Sequence, residues 1–93
     1  MSIMQFLPQL ALFLKIHGTI YTVRGFYYRV SGIEVEGVGN CKRKFIAVVY
    51  CTEDLEKYVP LSGFDSVKDW WLAIRNFTRS GGKLYLYKVT VVK

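Results

Sequence analysis

Acidic residues are scarce in this sequence and confined to its middle. Only seven of 93 residues are acidic, and all seven lie between Glu34 and Asp69. Residues 1–33 carry Lys15, Arg24 and Arg29 with no acid, and residues 70–93 carry Arg75, Arg79, Lys83, Lys88 and Lys93 with none. Histidine occurs once, at His17, and cysteine twice, at Cys41 and Cys51. That set lacks the paired spacing of a zinc site, so no metal is expected. No glycine-rich loop leads into a helix. Gly37-Val38-Gly39 reads as a hairpin turn, so no phosphate loop is expected, and no cofactor. No stretch supplies the roughly 20 apolar residues that a membrane span needs. The apolar start, Met1–Lys15, is interrupted by Gln5, Pro8 and Gln9. It has neither a positive leading region nor a small-residue cleavage site. It is read as a helix buried in the fold or covered by a partner, and no membrane contact is expected.

What is present is globular. The chain is 52% hydrophobic, 16% aromatic and 22% charged, with a net charge of +6. Ninety-three residues make a single domain, 1–93, with a modest core. If the two acid-free ends are neighbours in the fold, one side of the molecule is strongly positive and suits a polyanion. Two cysteines without a secretory leader point to reduced thiols and a cytoplasmic protein. Lys42-Arg43-Lys44 directly follows Cys41 and would lower its pKa, so Cys41 is expected to be a free surface thiol.

The most legible element is a helix over about 66–79. Ser66-x-x-Asp69 reads as a capping box. Val67, Trp70, Trp71, Ile74 and Phe77 fall on one face, and Gly81-Gly82 ends it. That aromatic stripe should be core. A shorter helix is expected over 8–16, with Pro8 in its first turn and little of its surface facing water. Thr19–Arg24 is β-branched and aromatic, hence a strand. Phe26–Val30 is expected to continue extended beyond a break at Gly25. Ser31-Gly32 is a turn and Ile33–Val38 a strand with one solvated face, its Glu34 and Glu36 serving solvation. Gly39–Arg43 is expected as a hairpin loop, and Lys44–Cys51 as a central strand. A short helical segment follows to Tyr58. Lys83–Val92 is the final strand, with Tyr85, Tyr87, Val89 and Val91 on one face. This order gives an α+β domain, a small mixed sheet curled into a partly closed barrel with helices over its openings.

Candidate binding residues combine aromatics and base. Phe26-Tyr27-Tyr28-Arg29 interleaves them, and Lys42-Arg43-Lys44 is placed at a hairpin tip. Stacking on an unpaired base is worth roughly 1–3 kcal/mol, and phosphate contacts add salt-dependent affinity. Arg24, Arg29, Lys42, Arg43 and Lys44 are the phosphate candidates. Tyr27 or Tyr28 is the stacking platform, the other being expected in the core. Catalytic candidates are few: His17, at a helix end, and Thr22.

Gly18-Thr19-Ile20-Tyr21-Thr22-Val23-Arg24, the stretch Leu61–Trp71 and the strand Leu84–Val89 together resemble the ASCH domains, a branch of the PUA-like β-barrel superfamily. The resemblance covers about residues 10–92. It implies a PUA-like barrel with an RNA-associated role and a ligand cleft beside the first strand. The family's motif there reads Gly-x-Lys-x-x-Glu-x-Arg, or the variant Lys-Thr-x-Thr-x-Arg. Arg24 takes the arginine position and Thr22 the threonine, while the lysine position falls on Thr19. Some ASCH proteins resemble amidohydrolases of acetylated cytidine that use a lysine, a threonine and a glutamate just before the helix. Here the glutamate position falls at about Gly63, so only Thr22 of the three is matched.

The expected function is therefore an RNA-binding module, with DNA as second partner, using a basic cleft around Thr22 and Arg24. The alternative is a small hydrolase or nuclease acting on modified nucleosides or RNA in the same cleft. That needs a base among Lys15, His17, Lys44 and Glu53. A third reading is a homodimer formed through Phe6, Leu7, Leu10 and Phe13 of the apolar N-terminal helix.

Overall fold

The computed structural model describes residues 2–78 and 82–92. Its elements are β1 (Ser2–Met4), α1 (Pro8–His17), β2 (Thr19–Arg24), β3 (Gly32–Val35), β4 (Gly39–Val49), a 3₁₀ helix (Thr52–Leu61), α2 (Val67–Phe77) and β5 (Leu84–Val91). The strands form one mixed sheet in the order β1-β3-β4-β5-β2, curled into a half-barrel. β1 runs parallel to β3, and the other three pairings are antiparallel. The chain is thus α+β, with the apolar run of β4 at the centre of the sheet.

The acid-free ends are neighbours. β2 pairs with β5 along its whole length, from Thr19 opposite Thr90 to Arg24 opposite Tyr85. Strand alternation then sorts the side chains. Ile20, Thr22 and Arg24 share a face with Tyr85, Tyr87 and Val89, and with Cys41 and Arg43 of β4. Tyr21 and Val23 share the other face with Leu86 and Lys88. One core lies on the first face, where Leu14 of α1 meets Met4, Ile20, Ile33, Val35, Cys41 and Val89. The second lies on the other face, where Trp70 and Ile74 of α2 and Leu55 of the 3₁₀ helix meet Val23, Val49 and Leu86. Full burial of side chains this size is worth about 1.5–3 kcal/mol each.

Helix α2 starts where its sequence says. The Asp69 N–H donates to Ser66 Oγ at 3.1 Å, which satisfies one free amide of the first turn. Trp70 and Ile74 are buried, and Trp70 stacks on Phe64 with ring centroids 6.4 Å apart. Phe77 departs from the expected stripe: it is 71% exposed, because the helix ends there, at Thr78. The glycines expected to end it lie in part outside the described residues.

Four further expectations are corrected. Helix α1 spans Pro8–His17 and is closed by Gly18 in the left-handed region, with its N–H bonded to Leu14 O at 2.8 Å. Much of it faces water, however. Leu12 and Ile16 are 57% and 68% exposed, since the helix rests on the sheet through Leu10, Phe13 and Leu14 alone. Phe26–Val30 is not a strand. It is an exposed irregular strap from which both Tyr27 and Tyr28 protrude, so neither is core. The β3–β4 turn is Glu36-Gly37-Val38, with Gly37 at φ +81° and Gly39 at φ +114°. Those left-handed positions set the turn earlier than expected. Lys42, Arg43 and Lys44 therefore lie within the central strand, not at a tip. Finally, Cys41 is a buried core thiol, and only Cys51 is exposed. Burial pushes the Cys41 thiol up, which outweighs its basic neighbours in sequence.

Candidate nucleic-acid interface

A cleft of about 490 Å³ runs beside β2. β2 is the last strand of the sheet, so one of its edges has no strand partner. Three consecutive residues, Thr22, Val23 and Arg24, line the cleft, which places it along that open edge. Phe6 and Leu7 form one wall, between β1 and α1. Trp70, Ala73, Ile74 and Phe77 of α2 form the other, and Phe26 and Tyr28 of the strap stand at the end. Its lining is aromatic and aliphatic, with Thr22, Arg24 and a few small polar groups among it, the pattern common to small-ligand pockets.

Arg24 is anchored in this cleft. Its Nη2 donates to Gln5 O at 2.9 Å, and the guanidinium carbon lies 4.9 Å from the Phe6 ring centroid. Its Nε is buried and has no hydrogen-bond partner among the described residues. Burial holds its pKa below the ordinary arginine value, Tyr28 offsets this, and the nearby Arg43 charge lowers it further. No carboxylate is among these influences. Arginine stays protonated at neutral pH all the same, so the cleft holds a positive charge uncompensated by any acid among the described residues.

Arg43 is buried, 6% exposed, where Arg24 is half-buried. Its Nη2 donates to Val30 O at 2.9 Å, and its guanidinium carbon sits 4.1 Å from the Tyr28 ring and 5.7 Å from the Tyr87 ring. Its Nε also lacks a partner among the described residues. Burial lowers its pKa, against the opposing effects of Tyr28 and Tyr87. Tyr87 fixes the strap from beneath. Its oxygen accepts from the Tyr28 N–H at 2.7 Å, and its O–H donates to Phe26 O at 2.9 Å. Burial pushes the Tyr87 phenol up, while the Tyr28 N–H and Arg43 pull it down.

The expected phosphate contacts are therefore divided. Thr22, Arg24 and Tyr28 come together at the cleft, and Arg43 lies behind Tyr28. Tyr27 and Arg29 are exposed on the strap. Lys42 and Lys44 are exposed on the opposite face of the sheet, with Lys44 directly across from Lys88. Of the candidate bases, none lines the cleft. His17 packs on Phe13 with centroids 4.1 Å apart, and Lys15, Lys44 and Glu53 are on other surfaces. Among the described residues, no three His, Cys, Asp or Glu side chains gather as metal ligands. Gly63, where the resemblance sets a glutamate, has φ +84°, and a Cβ there would lie 2.6 Å from Leu10 Cδ2. A side chain there would strain the left-handed backbone and displace Leu10.

Sequence reasoning missed Gln5, Phe6 and Phe77 as cleft residues and Tyr87 as the anchor of the strap. Phe26 was signalled by its aromatic-basic run. The surfaces of Trp70 and Ile74 that line the cleft belong to residues rightly expected in the core. No family model, curated protein or solved structure matches this chain. Among the described residues, no helix is long and apolar enough to cross a membrane.

Proposed function

We propose that this domain is a PUA-like partial barrel of the ASCH type that binds single-stranded RNA, with an unpaired base held in the β2 cleft. The observation that carries this reading is the pairing of the acid-free ends. β2 and β5 lie side by side, and the cleft along β2 contains the uncompensated Arg24 among aromatic walls. Aromatic surface plus isolated positive charge suits a base and its phosphate, and it suits single strands because paired bases cannot offer their faces. Thr22 supplies a hydroxyl for a base edge or ribose. DNA is the second candidate, and the 2′-hydroxyl is what separates the two. The hydrolase reading loses ground, because among the described residues the cleft lining includes no histidine, lysine or carboxylate.

Fluorescence anisotropy tests this with labelled single-stranded RNA, double-stranded RNA and double-stranded DNA across a salt series. Single-stranded RNA should bind tightest, with log K falling against log salt by roughly 0.7 for each phosphate neutralised. Absence of binding at low salt to any of the three overturns the proposal.

Self-association is a second reading, favoured by the exposure of Leu12 and Ile16, one turn apart on α1. The residues first expected at such an interface pack mainly inward: Phe6, Leu10 and Phe13 lie against the core. Sedimentation over a concentration range tests it, and a monomer at every concentration rules it out.

A further inference from the structure

Three rings from three chain segments meet beside the strap. Tyr27 lies edge-on to Phe45 of β4 and to Tyr85 of β5, with centroids 5.3 and 5.9 Å apart, and Phe45 and Tyr85 are 6.2 Å apart. The three pairs are tilted by 75°, 61° and 58°, so no ring covers another face to face. Tyr27 is 56% exposed and Phe45 37%. Phe45 also contacts Tyr87 at 6.0 Å, which seats the group on the same buried layer that holds Arg43 and Tyr28. None of these three rings lines the cleft.

Exposed aromatic surface fits several partners, and charge decides among them. The segments that supply the rings, residues 25–31, 39–49 and 83–91, carry not one acid; of their cations, Arg29 and Lys83 are exposed, Arg43 is buried behind Tyr28, and Lys42, Lys44 and Lys88 lie on the opposite face of the sheet. An apolar peptide surface would gain nothing from exposed Arg29 and Lys83 with no acid in these segments, whereas a phosphate backbone would. Connectivity points the same way. Phe26 and Tyr28 line the cleft, while Tyr27 between them turns to the platform. The strap therefore carries stacking surface from one site to the other within three residues.

We propose that Tyr27, Phe45 and Tyr85 form a second base-stacking site, which takes a nucleotide adjacent to the one in the cleft. This rests on the RNA reading above and extends it from one nucleotide to a short single strand. The platform adds affinity only for ligands long enough to span both sites, and it adds it without sequence readout, because every base has a π-face.

The test compares wild type, Tyr27→Ala and Phe45→Leu against a single-stranded RNA decamer and a nucleoside monophosphate. The decamer carries 2-aminopurine, whose fluorescence is quenched on stacking. Tyr27 is exposed on the strap, so its variant keeps the fold, and a denaturation curve verifies this for both. Each variant should weaken decamer binding by roughly 5- to 100-fold, the range of one lost stack. Each should lose part of the quench and leave monophosphate affinity within twofold of wild type. Wild-type decamer binding that is unchanged in both variants overturns the platform and leaves the cleft standing. Absence of decamer binding by wild type overturns both.

Discussion

Arg24 Nη2 donates to Gln5 O at 2.9 Å, and this bond joins the ends of β2 and β1, the two outermost strands of the half-barrel. The same guanidinium lies over Phe6 and lines the cleft. One side chain thus both draws the open sheet together and charges the site. Arg24→Ala should lower unfolding stability by about 1.5–3 kcal/mol, the usual range for a hydrogen bond to a charged group. Arg24→Lys keeps the charge but not the planar fork, and should recover less than half of that. Urea denaturation measures both. A neutral Arg24→Ala would mean that the β1–β2 tie does not support the fold.

Tyr87→Phe removes an acceptor from the Tyr28 N–H and a donor from Phe26 O while keeping the ring. Two backbone groups are then left to find water. Stability should fall by about 1–3 kcal/mol. The Tyr28 amide should exchange with solvent faster than in wild type, while amides of β4 keep their protection. Unchanged Tyr28 exchange would show that the strap is held by Arg43 alone.

Much of this was legible from the sequence, for definite reasons. Ser66 and the Trp70/Ile74 spacing announce α2, the Pro8–Gly18 pair brackets α1, and the β-branched run Thr19–Arg24 is a strand to the residue. Each of these signals is local. The displaced turn was not legible because Gly37 and Gly39 compete with Asn40 and the basic triplet as turn formers, and only the register of β4 against β3 and β5 decides. The fate of Arg43 was hidden for the same reason. A lysine–arginine–lysine run looks uniformly exposed until strand alternation buries its middle member under Tyr28. The cleft drew one wall from Gln5–Leu7, whose approach to Arg24 depends on sheet curvature. Thr22 and Arg24, which line the cleft, were expected there only through the resemblance of their strand to a family motif.

The two thiols should behave differently. Cys41 is buried and its pKa is raised, while Cys51 is exposed. At pH 8 an aromatic disulfide reagent should titrate one thiol in the native protein and two after denaturation. Cys51→Ser should abolish the native reaction. Rapid reaction of Cys41 in the folded protein would contradict its place in the core.

Asp54 accepts from the Tyr50 and Cys51 N–H groups at 2.8 and 3.2 Å, and these bonds hold its carboxyl below the ordinary value. A depressed folded pKa contributes stability above the unfolded value, near 4, that is lost as pH falls through the folded one. Asp54→Asn resembles the protonated form. It should be less stable than wild type at pH 7, and the gap should close in strong acid, once the carboxyl is protonated in both states. A gap of equal size under both conditions would assign the loss to shape, not charge.

The most direct test of the central claim is nitrogen–proton NMR shift mapping with a short single-stranded RNA. Binding in the β2 cleft predicts the largest shifts at Thr22, Arg24, Tyr28, Ala73 and Phe77, including the Arg24 Nε–H signal. Shifts confined to Lys42, Lys44 and Lys88, on the opposite face of the sheet, would contradict it and reduce the interaction to non-specific attraction between a basic surface and a polyanion.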